Sequence, residues 1–323
     1  MTTYIIRRLF SCALLILLVS MVVFMLIRLL PGDPLLMIMS PEDLAAVAGA
    51  DVQAHLDQLR AEHGLDRPMA VQYMSWLTNV LQGDFGRSIV RGFDIGSELQ
   101  NRMAVTLFLG FIAFIISNIM GMLLGTISAI RRGTIIDTVV TTIANIGITA
   151  PSFLVAILCI YIFGFRLDWF PIFGYQLPWR GDFSRSVSQS VLPIFVMALG
   201  PMASTARQTR SSVLEVLNED HVRTAWAKGM REKAIILRHV LKNALIPVIT
   251  LQGSMLRLIF GGSAIVETIF VIPGAGQMMV SSMLSSDYPV IQAVTIMLTF
   301  VAVMSNLLVD ILYGWVDPRI QYS

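Results

Sequence analysis

Charged side chains are scarce in this sequence: they make up 14% of its 323 residues, and the formal net charge is only +2. A soluble globular chain carries about 25% charged residues, so a water-covered surface cannot be built from this composition. The small net charge gives no strong field toward nucleic acid. Cysteine is nearly absent, and Cys12 and Cys159 lie far apart inside apolar runs. That excludes a disulfide framework or a clustered thiolate metal site, and both read as small hydrophobes. The histidines at 55, 63, 221 and 239 show no metal-ligand spacing with carboxylates or cysteines. No HExxH, nucleophile elbow or Gly-Lys dipeptide occurs, so the chain has no P-loop and no recognisable catalytic constellation. No cofactor is expected in this chain.

Apolar residues are abundant instead: 55% of the chain is hydrophobic and the mean hydropathy is +0.73. They are gathered in long uncharged runs, and about 20 apolar residues in a helix cross the hydrocarbon layer. Residues 9–27 form the first such run, behind Arg7 and Arg8. It exceeds a signal-peptide core, and Pro31-Gly32-Asp33-Pro34 follows in place of a small-x-small cleavage pattern, so it reads as a retained span. Further runs cover 103–130, 138–165, 187–206, 245–265 (interrupted by Arg257) and 288–309. Pro151 and Pro193 fall inside the third and fourth, where neighbouring helices can satisfy the freed carbonyls. The expected fold is all-α and polytopic, with six transmembrane helices.

Basic residues set the orientation. Arg131 and Arg132 occupy a short turn, and the 207–242 loop carries a basic cluster; both lie on the N-terminal side of the membrane. That side is expected to be cytoplasmic, with both termini there. The expected organisation is an N-terminal span over 1–30, an extracytoplasmic helical segment over 31–102, and a core transmembrane domain over 103–323 with a cytoplasmic loop at 207–243. In the external segment Val52, Leu56 and Leu59 recur at helical spacing between a possible N-cap, Asp51, and a stop at Gly64. A second helix is predicted from Pro68, with Tyr73, Trp76, Leu77, Val80 and Leu81 on one face. This hairpin either rests on the membrane or the other helices, or receives an external partner.

The loop between the fourth and fifth spans is the most informative stretch. Asn218 or Glu219 can cap a short helix, and Glu219 and Asp220 place negative charge at its dipole-favoured end. That helix covers roughly 221–228 and stops at Gly229, which can take a left-handed conformation. A second helix, about 231–244, carries Ala234, Leu237, Leu241 and Ala244 on one stripe. A short helix presented below the membrane suits a groove on a partner. The order Glu219-Asp220-His221-Val222-Arg223-Thr224-Ala225-Trp226-Ala227-Lys228-Gly229 resembles the coupling-loop signature of permeases from binding-protein-dependent ATP-driven importers, the peptide/nickel branch above all.

The resemblance runs along nearly the whole chain. It includes Arg7-Arg8-Leu9, Pro31-Gly32-Asp33-Pro34, Gly64-Leu65-Asp66-Arg67-Pro68, Gly83-Asp84-Phe85-Gly86-Arg87-Ser88, Val266-Glu267-Thr268, Pro273-Gly274, Asp287-Tyr288-Pro289-Val290 and Asp317-Pro318-Arg319. Departures from the general signature are Arg223, where it has Glu, and Lys242, where it has Pro; both look usual for the peptide/nickel branch. Trp226 is bulkier than that branch leads one to expect.

The resemblance implies a type I importer permease. It would pair with a second homologous permease, with two nucleotide-binding ATPase subunits and with an extracytoplasmic solute-binding protein, in the cell (inner) membrane. Glu219, Arg223, Ala225 and Gly229 are then the expected coupling contacts, with Glu219 and Arg223 paired to each other or to the partner. Di- or oligopeptides are the favoured cargo, and nickel or metal chelates, glutathione and oligosaccharides the alternatives within the family. Outside it, an ion-driven secondary transporter is the rival, but it calls for intramembrane carboxylates; the spans between Arg131 and Gln208 are expected to hold no buried one, and Asp310 sits at the end of the sixth. Polar groups inside spans are costly and mark paths or partners. Arg257, with Gln252 nearby, either forms an ion pair with Glu267 or lines the translocation path; Asn145 is a further candidate for path or interhelical contact. The methionines, 19 in all and including Met37 and Met39, are scattered and read as packing rather than metal ligands.

Overall fold

The computed structural model describes residues 2–29, 66–178 and 181–316, and among them there is no β-strand. Helix α1, Thr2–Leu29, is followed by a short external helix α2, Met69–Leu81. Helix α3, Ile95–Ile130, leads through a tight turn to α4, Ile135–Thr149, and α5, Ser152–Arg166, whose second half is π-helical. Helix α6 is Phe183–Leu217, α7 is Asp220–Ala227, and α8 runs Glu232–Ile269 through a π-helical turn at Ile236–Val240. Helix α9, Ala275–Leu284, and α10, Tyr288–Val316, complete the order. Five of these helices are long and apolar enough to cross a membrane, or six if the bent pair α4 and α5 counts as one.

The spans are longer than the apolar runs alone suggest. Helix α3 starts at Ile95, eight residues before the run at 103, because Asp94 accepts the Ser97 backbone N–H and caps it. That hydrogen bond also holds the exposed Asp94 carboxyl below its usual range. The third span is broken: α4 and α5 meet at 107° around Ala150-Pro151, a sharper event than the tolerated kink expected. Proline removes an N–H and pushes its predecessor into extended backbone, and Ala150 sits at ψ 125°. Pro193 and Pro201 leave α6 unbroken, since both are buried among neighbouring helices. The separate cytoplasmic helix expected at 231–244 is the first part of α8, continuous with the fifth span.

Helix α3 packs on α6 along a stripe of buried small residues, Ala113, Ser117, Gly121 and Gly125, each four apart. A β-carbon at Gly121 would lie 2.7 Å from Thr205 Cβ and 2.8 Å from the Met202 carbonyl oxygen. One at Gly125 would collide with the Ala206 carbonyl oxygen. In a bilayer the hydrophobic effect does not drive helices together, so such close backbone approach supplies the packing. Elsewhere the long helices present exposed leucine, isoleucine and phenylalanine to their surroundings, as Leu15, Val22, Phe111 and Ile119 do.

Helix α2 lies on α1. Tyr73 and Trp76 flank Phe24 with ring centroids 5.4 and 5.8 Å away, and the Tyr73 hydroxyl shares a 2.8 Å hydrogen bond with Ser20 Oγ. The predicted face is the one that docks, except for Leu81, which is exposed. The expected helix around Val52, Leu56 and Leu59 lies outside the described residues, as do His55, His63, Met37 and Met39.

Candidate functional site

Helix α7 hangs at the basic end of the bundle. Glu219 occupies its N-cap in extended conformation but makes no capping bond with its side chain. The Glu219 carboxylate lies 2.9 Å from His221 Nδ1 instead, and Arg223 reaches Asp220 at 3.5 Å, so the expected Glu219–Arg223 pair is not formed. The reason is local: Asp220 stands three residues before Arg223 on the same helical face, while Glu219 lies outside the first turn. Both pairs are exposed and add little stability.

The other end is closed by a Schellman motif. Gly229 takes φ +72°, its N–H donates to the Trp226 carbonyl at 2.9 Å, and the Met230 N–H donates to the Ala225 carbonyl at 3.4 Å. Only glycine adopts that backbone at low cost. Val222 and Ala225 face inward and pack with Val213 and Val216 of α6 and Ile235, Val240 and Ala244 of α8. Ala225, expected among the contacts to a partner, is therefore 5% exposed and seats the helix on its own chain. The outward face carries Arg223, Thr224, Trp226 and Ala227. Trp226 is 48% exposed, so its bulk projects from the seat instead of crowding it.

Near this end, Asp137 at the start of α4 accepts two bonds from Arg210 of α6, Nε to Oδ1 at 2.8 Å and Nη2 to Oδ2 at 2.9 Å. Ser128 Oγ and the Gly133 N–H also donate to it at 2.6 and 2.9 Å, and Thr141 Oγ1 at 3.4 Å. This fork–fork pair fastens the Arg131–Gly133 turn to α6 beside the seat of α7. Sequence reasoning missed it, because its partners are 73 residues apart.

At the opposite end, Glu267 is fully buried. Its Oε1 accepts from Thr106 Oγ1 at 2.7 Å and its Oε2 from the Gln277 N–H at 3.0 Å, with the Gly276 N–H and Ser263 also in reach. The carboxylate thus sits at the N-terminus of α9, where the dipole favours it. A β-carbon at Gly274 would run into it. The expected Arg257–Glu267 pair is absent: both lie on α8, and ten residues separate them by roughly 15 Å along the axis. Arg257 donates instead to Asn306 Oδ1 and Ser254 Oγ, each at 3.0 Å.

Of the path candidates, Arg257 and Asn145 are exposed on the bundle. Gln252 is buried; its amide nitrogen donates to the Val248 carbonyl at 3.0 Å, and its Oε1 has no partner among the described residues. The broken third span opens a cavity of about 220 Å³ at its crook, walled by Gly147, Ala150, Ser152, Gly200, Pro201 and Gly262.

A bundle of this build, with a rigid capped helix at its basic end and a kinked span beside an internal cavity, is that of a multi-pass transport permease. Residues 121–322 match the model of the binding-protein-dependent transport system inner membrane component, and residues 1–106 match that of its N-terminal part. The chain belongs to this family, as the permease subunit of an ABC importer in the inner membrane. It is 39% identical over 324 residues to the oligopeptide transport system permease protein AppB of Bacillus subtilis (strain 168), with 100% of both chains covered. In fold it is similar to a solved amino acid ABC transporter with histidines, at a TM-score of 0.51 and 15% identity over 69% of this chain and 94% of that one. Membership carries with it association with ATPase and binding-protein partners.

Proposed function

We propose that this permease imports di- or oligopeptides, in a complex of two homologous permeases, two ATPase subunits and an extracytoplasmic solute-binding protein. The full-length similarity to a chain named for oligopeptide transport supports the cargo. ATP and magnesium belong to the ATPase subunits, and this chain contributes no catalytic group. The basic turn at Arg131–Arg132 and the basic loop around α7 support an orientation with both termini in the cytoplasm.

The observation that carries the reading is the seat of α7. A floppy loop would absorb the movement of an ATPase, whereas a helix closed by Gly229 and packed through Val222 and Ala225 onto both α6 and α8 passes it to two spans as a rigid body. Glu219, Arg223 and Trp226 offer the outward contacts; Ala225 and Gly229 fix the helix that presents them. Asn145 and Arg257, exposed on the bundle, are read as facing a path shared with the second permease, with Gln252 buried five residues before Arg257 on α8. The cargo is tested by uptake of radiolabelled peptides, nickel, glutathione and an oligosaccharide into cells expressing the full complex. Peptide uptake that disappears on deleting this chain supports the reading, and uptake of another solute alone refutes it.

A further inference from the structure

A second cavity, about 480 Å³, lies between the basic ends of α3 and α8, away from the crook of the third span. Its floor is apolar, with Leu123 and Ile127 on α3 and Leu237 and Leu241 on α8. Arg131, Glu232 and Lys233 form its mouth, a net positive rim. Because α3 ends where α8 begins, the two helices run antiparallel past each other. That arrangement puts Arg131 and Lys233 toward the mouth, and Met122 and Leu245 toward the far end. Nine residues of helix from Met122 to Arg131 span roughly 13.5 Å, close to the hydrocarbon depth of one leaflet, about 15 Å.

The π-helical turn at Ile236–Val240 widens α8 where it lines this groove and sets Ile236 and Leu237 along it. Such turns are uncommon and gather at functional sites. The guanidinium of Arg131 and the ammonium of Lys233 make no side-chain hydrogen bond or ion pair among the described residues. Two unpaired cations at the membrane surface, above an apolar channel one leaflet deep, match an anionic headgroup and its acyl chain.

We propose that this groove binds one anionic phospholipid of the cytoplasmic leaflet, its phosphate between Arg131 and Lys233 and an acyl chain along Leu123, Ile127 and Leu237. The lipid then rests on the helix that carries the seat of α7, in contact with the π-helical turn just before Val240 and Ala244. The assignment uses the inward orientation of the basic end and is independent of the cargo.

The test is native mass spectrometry of the purified full complex, after exchange into mixed micelles holding equal phosphatidylglycerol and phosphatidylcholine. The wild type is expected to retain phosphatidylglycerol over phosphatidylcholine by about 25-fold, each of the two cations near the surface being worth roughly fivefold. Arg131→Gln with Lys233→Gln, both exposed positions, is expected to abolish the preference. Leu123→Trp, which fills the groove without altering charge, is expected to reduce retention of both lipids. Equal retention by the wild type, or an unchanged preference in the double variant, overturns the proposal. So does efficient cross-linking of Leu237→Cys to the second permease, which would make the groove a protein interface.

Discussion

Thr106 Oγ1 donates to Glu267 Oε1 at 2.7 Å and in turn accepts the Ala275 N–H at 2.9 Å, joining α3, α8 and the start of α9 through one hydroxyl. The carboxylate does the work of a helix cap from a neighbouring span. Its surroundings supply donors for both oxygens, and Gly274 leaves it room. The opposite end of the bundle uses the same logic, with Asp137 in place of Glu267. The two ends of the permease are thus locked by buried carboxylates, while the middle is packed by small residues.

Loss of the Glu267 acceptors should therefore cost more than an ordinary surface change. Glu267→Ala strands the Thr106 hydroxyl and the α9 N–H groups, at about 3 kcal/mol for groups left unsatisfied. Thr106→Val removes two hydrogen bonds, leaving the Ala275 N–H unpaired, and is expected to cost about 2 kcal/mol. Thermal unfolding of the purified protein in mild detergent should rank wild type above Thr106→Val and Thr106→Val above Glu267→Ala.

Breaking the pair between Asp137 and Arg210 from one side leaves a poorly solvated charge. Arg210→Ala is expected to destabilise by about 3 kcal/mol, since Asp137 is only 6% exposed. Asp137→Asn combined with Arg210→Ala should recover part of that loss. A double-mutant cycle on melting temperature reads the coupling, and strictly additive losses would contradict it.

The contact of α3 with α6 depends on glycine at two positions. Gly125→Leu places side chain where the Ala206 carbonyl stands and should cost at least about 3 kcal/mol, with aggregated material on size-exclusion chromatography. Ile119→Ala, on the exposed face of the same helix, serves as the control and should run as wild type.

How much of this was legible in the sequence differs by feature. The spans were, because a run longer than the hydrocarbon layer has no other use in a chain so poor in charge. The docking face of α2 was, because Tyr73 and Trp76 recur at helical spacing. The 107° break at Ala150-Pro151 was not, since a proline reports a missing N–H but not whether neighbours restore the axis; Pro193 and Pro201 have the same signal and leave α6 continuous. Helix α9 also escaped: its ten residues, with paired methionines and paired serines, show no clear apolar period, and only Pro273-Gly274 hinted at a start. The inward packing of Ala225 was not legible, because the resemblance marks it as a coupling contact and a small residue on a short helix suits close approach on either side. The ties of Ser88 to Asp287 and of Asp137 to Arg210 join residues 199 and 73 positions apart, which no local pattern encodes.

The central claim is that α7 transmits ATPase movement as a seated, rigid helix, and one comparison tests it most directly. Peptide uptake and ATP hydrolysis would be measured together in proteoliposomes holding the full complex, with wild-type permease, Gly229→Val and Trp226→Ala. Gly229→Val forces a β-branched residue to φ +72° and should unseat the helix, while Trp226→Ala removes an outward contact and leaves the seat intact. The account predicts that both variants lose uptake at least about tenfold, a difference of about 1.4 kcal/mol, with hydrolysis persisting uncoupled or the ATPase subunits released. Uptake and hydrolysis at wild-type levels in both variants would contradict it.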